Sequence, residues 1–129
     1  MLRLAVPNKG SLSEAAQAIL KDAGYRPRRD SKELVVTDHD NDCELFFLRP
    51  RDIAVYVGEG TLDVGITGRD MLLDSGVEAE EIVALGFGRS TFRFASMAGR
   101  FSGVQDLAGK RIATSYAGLL GRYLTEQGV

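Results

Sequence analysis

Lys9 stands in the turn Pro7-Asn8-Lys9-Gly10-Ser11, between an aliphatic run and a helix-patterned segment. An ammonium beside a glycine at the mouth of a helix suits a phosphate. The arrangement recurs at Thr67-Gly68-Arg69-Asp70 and at Thr114-Ser115-Tyr116-Ala117-Gly118, each after an apolar run and before a helical pattern. Helix N-termini leave N–H groups unpaired and carry partial positive charge. In open α/β sheets, ligands gather at the carboxyl ends of strands. Lys9 and Arg69 add full cations to two of the three turns, so the pattern predicts a site for an anionic ligand built from several turns.

The familiar nucleotide loops are absent. Lys9-Gly10-Ser11 lacks the upstream glycine spacing of a Walker A loop, and Gly86-Phe87-Gly88 runs on into Arg89, Ser90 and Thr91 rather than completing a dinucleotide fingerprint. Each candidate also has a plainer reading. Lys9 is equally a solvated turn lysine, Arg49 a partner for Asp52, Asp70 a helix-start charge, and Tyr116 a core aromatic with a satisfied hydroxyl. The basic run Arg26, Arg28, Arg29 and Lys32 reads as a solvated loop, or more sharply as a phosphate-facing patch reaching a neighbouring subunit. Asp38, Asp40 and Asp42 start like a calcium loop, but Cys43 and Arg49 occupy the positions that need glycine and glutamate, so the segment reads as a turn. His39 within it is assigned no metal.

The elements that must position these residues follow from periodicity. Leu2–Val6 reads as a buried strand. Ser11 and Glu14 have capping-box spacing, and Leu12, Ala15, Ala16, Ile19 and Leu20 then mark one face of a helix stopped near Gly24. Glu33–Thr37 and Glu44–Leu48 read as a hairpin. Pro50 opens a helix with Ile53, Tyr56 and Val57 on its apolar face. Leu62, Val64 and Ile66 alternate as a strand, followed by a short helix from Thr67 through Leu73, ended near Gly76. Ile82–Leu85, Thr91–Ala98 and Arg111–Ser115 read as strands, Gln105–Gly109 as a brief helical turn, and Leu119, Leu120, Tyr123 and Leu124 as the face of a last helix. Alternating strands and helices point to an α/β fold with a mainly parallel sheet. Residues 99–103 are the linker candidate, dividing a first α/β lobe over 1–98 from the start of a second over 104–129.

The chain has 129 residues, one domain's worth on size. Its formal charge of −2 exerts no general pull on nucleic acid. Cys43 is the only cysteine, so no internal disulfide forms, which points to a reducing, cytoplasmic setting. Met1–Val6 is too short an apolar run for a signal peptide or a membrane span.

Four ordered segments resemble one family. Val6-Pro7-Asn8-Lys9-Gly10-Ser11-Leu12-Ser13-Glu14, then Arg49-Pro50-Arg51-Asp52-Ile53 with Tyr56-Val57, then Asp63-Val64-Gly65-Ile66-Thr67-Gly68-Arg69-Asp70, then Arg111-Ile112-Ala113-Thr114-Ser115-Tyr116 are similar to signatures of ATP phosphoribosyltransferase, the first enzyme of histidine biosynthesis. The opening segment leans toward the long, histidine-regulated form. Ala117 departs from the family, which often has proline there.

The resemblance implies a two-lobed, periplasmic-binding-protein-like (type II) α/β fold, incomplete in this chain. It implies transfer of phosphoribosyl from phosphoribosyl pyrophosphate to N1 of ATP, with magnesium accompanying that substrate and pyrophosphate leaving. Such chemistry needs two anions held in line more than acid–base help, so no catalytic residue and no protein metal ligand is assigned. Lys9, Gly10 and Arg49 are the expected phosphate contacts. Asp70 would accept from the adenine amino group, and Tyr116 would lie against base or ribose with Thr114 and Ser115 nearby. A homo-oligomer is expected, with no nucleic-acid or membrane partner. In the family the sequence continues from here into the loop that holds the ribose 5-phosphate. The expectation is therefore a fragment that keeps part of the ATP side and does not turn over alone. The competing reading is a non-enzymatic small-molecule sensor of the same fold.

Overall fold

The computed structural model describes residues 1–27 and 32–129; Arg28 and Arg29 of the basic run lie outside them. The aliphatic run at the start forms β1 (Leu2–Pro7), with Ala5 and Val6 fully buried. A strand apolar on both faces must sit inside a sheet with cover on each side. β1 pairs in parallel with β3 (Cys43–Leu48), from Leu2 opposite Cys43 to Pro7 opposite Leu48. On its other edge it pairs in parallel with β4 (Val64–Gly65), Leu4 opposite Val64 and Ala5 opposite Gly65. β2 (Val35–Asp38) closes the expected hairpin, antiparallel to β3, and the sheet order is β2-β3-β1-β4.

Alternation along the strands sends side chains to opposite faces. Leu4 and Val6 of β1 meet Cys43, Leu45 and Phe47 of β3 beneath α1 (Gly10–Asp22), which contributes Ala16 and Leu20. Ala5 points the other way, to Ile53 of α2 (Pro50–Gly58) and to Leu62. One helix thus covers each face. Three further elements follow: α3 (Arg69–Ser75), a short 3₁₀ turn (Val104–Leu107) and α4 (Ala117–Glu126). Gly76, at φ +68, ends α3 in the left-handed conformation that helix ends favour.

Several expectations fail for identifiable reasons. The capping box does not form: α1 starts two residues earlier, at Gly10 (φ +81), its cap position is Lys9 rather than Ser11, and no side chain caps it. Ser13 instead accepts from Gln17 within the helix. Tyr56 is exposed, and Ala54 joins Ile53 on the buried face of α2 in its place. β2 begins at Val35 rather than Glu33. The runs 82–85, 91–98 and 111–115 carry strand-like sequence but are not strands, since a strand exists only against a neighbour that takes its N–H and C=O groups. Among the described residues none is placed to do so. Ile82, Val83, Phe92, Phe94 and Met97 stay exposed in consequence.

The acidic turn is a turn. Buried Asp38 accepts from the Arg26 and Asn41 backbone N–H groups and from the Asn41 amide, while Arg26 also pairs with Asp40.

Candidate functional site

Because β1, β3 and β4 are parallel, their carboxyl ends reach one edge of the sheet together. From that edge issue Lys9 after β1, Arg49 after β3, and Thr67–Asp70 after β4. Local bonds tie the three exits. The Asn8 N–H donates to the Leu48 carbonyl at 2.9 Å. The Thr67 hydroxyl donates to the Pro50 carbonyl at 2.7 Å, and the Ile66 N–H to the Ala5 carbonyl at 2.9 Å.

The cations along this edge stand in different states. Lys9 is exposed at the mouth of α1, beside Gly10, and no ion pair among the described residues engages it. Arg49 takes the plainer reading in this state: its Nε donates to Asp52 Oδ2 at 2.9 Å across the first turn of α2. Arg69 is not an open charge. It grips Glu81 with both Nε and a terminal nitrogen, and this holds the Glu81 carboxyl below its usual range.

Asp70 and Tyr116, 46 positions apart, are brought together. The Tyr116 hydroxyl donates to Asp70 Oδ2 at 3.0 Å, and the Met71 N–H donates to Asp70 Oδ1 at 2.9 Å. Burial, then the bond to Asp70, pushes the Tyr116 phenol up. The ring meets Phe92 edge-on with centroids 4.8 Å apart. Thr114 bends its turn through an Oγ1 that accepts the Tyr116 N–H at 2.9 Å, and the Ser115 carbonyl faces α2. Lys9, Gly10 and Arg49 belong to the sheet edge, whereas Asp70, Thr114, Ser115 and Tyr116 form a second group around the start of α4.

Two residues of that second group carried no role in the sequence reading. Arg51, in the first turn of α2, pairs with Asp74 Oδ2, donates to the Ser115 carbonyl at 2.7 Å and covers the Tyr116 ring at 5.4 Å. Asp74 also accepts the Leu119 N–H at 2.9 Å. That bond, followed by the Arg51 guanidinium, holds its carboxyl below the ordinary range. The signal was present in part: Asp70 and Asp74 are four apart, which puts both carboxylates on one face of a helix.

As for metal, no group of three or more His, Cys, Asp or Glu residues among the described residues is placed to hold an ion. No helix among them is long and apolar enough to cross a membrane.

The sheet edge and its turns match the segments that carry the family resemblance, and comparison with known proteins decides it. The profile of the family described as HisG: ATP phosphoribosyltransferase matches residues 49–129. The chain belongs to the ATP phosphoribosyltransferase family. It is similar over all 129 residues to proteins of that name from Paenarthrobacter aurescens (73% identical) and Streptomyces avermitilis (58% identical), spanning 45% of the length of each. A solved ATP phosphoribosyl transferase (HisG:HisZ) complex from Thermotoga maritima contains a chain that superposes with a TM-score of 0.69 at 26% identity. That match covers 99% of this chain and 60% of the other. The family's α/β fold is periplasmic-binding-protein-like, and the four-stranded sheet with its covering helices is the part of it present here.

Proposed function

We propose that the protein transfers phosphoribosyl from phosphoribosyl pyrophosphate to N1 of ATP and releases pyrophosphate, as the first step of histidine biosynthesis, and that this chain supplies the ATP side. The observation that carries the reading is identity of 73% across the whole chain to a relative named for that activity. The geometry supports it: the parallel strands β1 and β3 deliver Lys9, Gly10 and Arg49 to one edge, where N–H groups at the mouth of α1 favour a phosphate. Arg49 would exchange the Asp52 carboxylate for phosphate oxygens. Asp70 would receive the adenine amino group, and Tyr116, with Thr114 and Ser115, would border base and ribose. Magnesium would arrive with phosphoribosyl pyrophosphate as part of that substrate. We place the protein in the cytoplasm and read it as self-associating, through apolar side chains such as Phe94 and Met97 that this chain leaves exposed.

Calorimetric titration tests the ATP side. The 129-residue chain is expected to bind ATP more tightly than GTP, which lacks the amino group offered to Asp70. Lys9→Ala with Arg49→Ala should weaken ATP about tenfold or more, the loss of charge-assisted contacts. No heat with ATP, or an affinity indifferent to both changes, would leave the sensor reading in its place.

A further inference from the structure

α2, α3 and α4 meet at a side-chain cluster whose members differ from the proposed phosphate contacts, although Arg51 lies only two positions past Arg49. Asp70 and Asp74 lie one turn apart on α3, both facing the start of α4. α4 has no cap of its own: Tyr116, at its cap position, supplies no side-chain bond to the N–H groups of the helix. The carboxylate of Asp74, 7% exposed, does that work from the neighbouring helix, taking the Leu119 N–H on Oδ1. Its other oxygen is held by Arg51. The same guanidinium donates to the Ser115 carbonyl and lies over the Tyr116 ring. A planar fork holds a carboxylate and a carbonyl in fixed, separate directions while lying flat over a ring, a geometry that the compact ammonium of a lysine does not reproduce. Gly118 lets the helices approach this closely, since a Cβ there would stand 2.5 Å from the Asp74 carbonyl oxygen.

We propose that Arg51 and Asp74 are positioning residues, which hold the turn 114–116 against Asp70 and thereby build the nucleoside side of the site. The proposal rests on the ATP-binding reading above. Neither residue needs to touch the ligand. Arg51 fixes the turn from α2, Asp74 fixes α4 from α3, and the Tyr116–Asp70 pair is where the two constraints meet.

The test compares ATP with inorganic tripolyphosphate in calorimetry, on the wild-type chain and on Arg51→Lys, Arg51→Met and Asp74→Asn. Far-UV circular dichroism confirms the fold of each. Loss of the fork should weaken ATP about tenfold in both Arg51 variants and leave tripolyphosphate within about twofold, because the phosphate contacts lie on the other group of turns. Where Arg51→Met does not fold, Arg51→Lys, which keeps stem and charge, carries the comparison. Wild-type ATP affinity in Arg51→Lys, or parallel loss of both ligands, overturns the proposal. If the wild-type chain binds no ATP, it is the reading of function that fails. The positioning role is then decided by the Tyr116 ring and Leu119 amide signals in NMR spectra of Arg51→Lys, which must shift if Arg51 holds the turn and stay in place if it does not.

Discussion

Gly65→Ala tests how β4 is held. Gly65 pairs with Ala5 on the face of the sheet covered by α2. A methyl at Gly65 would stand closer to Ile53 Cγ2 than real methyl groups come, and 3.2 Å from Val57 Cγ2 and 3.4 Å from Ala5 Cβ. Ile53 is fully buried and cannot swing into solvent. The backbone here is not left-handed, so the whole cost is steric. Because the contact is closer than real Cβ atoms come and Ile53 is buried, the upper part of the overpacking range applies, about 2–3 kcal/mol. The stiffer unfolded chain offsets roughly 0.4–1 kcal/mol of this, leaving a net of about 1–2.6 kcal/mol. For a chain of this length 1 kcal/mol corresponds to about 3–6 °C, so thermal melts followed by circular dichroism should show a midpoint lower by about 3–16 °C. Ile53→Leu moves the branch one carbon outward and removes the offending methyl, at less than about 1.5 kcal/mol on its own. The double variant should therefore be more stable than the sum of the two singles predicts, by at least about 0.5 kcal/mol. A Gly65→Ala melt within about 1 °C of wild type, or strict additivity with Ile53→Leu, would refute the packing argument.

Gly10→Ala should behave differently. Nothing lies within 4 Å of a Cβ there, but φ is +81, so the cost is backbone strain of about 1–2 kcal/mol; urea titration should show Gly10→Asn recovering part of it, and equal stability of the alanine variant would contradict this. Stability should also fall in acid. Asp38 (through Asn41), Asp63 (through the Arg3 N–H) and Asp74 (through the Leu119 N–H) all sit below the ordinary carboxylate range. The unfolded chain therefore takes up protons first. The stability these groups provide is complete above the unfolded value and is lost as pH falls below about 4 through the depressed folded values. Urea midpoints measured from pH 7 down to pH 3 should decline at the acid end, and a flat profile would remove these bonds from the account.

What was legible in the sequence is what depends on local pattern. β1, the hairpin, α2 opened by Pro50, α3 closed by Gly76 and α4 all follow from periodicity and from punctuation by Gly and Pro. The start of α1 departs from the pattern because Ser11 satisfies it two positions too late, while the left-handed Gly10 does the turning. Residues 82–98 were misread for the opposite reason: their β-branched and aromatic content is real, but strand formation depends on a neighbour, and local sequence does not report one. The turns from which Lys9, Arg49 and Asp70 project could be placed because they follow strands. Arg51 and Asp74 could not, since their pairing joins two helices distant in sequence, and the Arg49–Asp52 and Arg69–Glu81 pairs show that a basic residue in a promising turn can be neutralised by its surroundings.

The place of β1 in the sheet has a consequence for biosynthesis. Leu2–Pro7 is translated ahead of the strands it pairs with, yet it is an interior strand whose partners are Cys43–Leu48 and Val64–Gly65. This buried strand must wait, unsheltered, until both partners have been translated, because parallel neighbours are always separated by a crossover. β1 is thus made well before it can be enclosed, and nascent chains not yet extended through β4 carry an open hydrophobic edge that cotranslational chaperones are suited to shield.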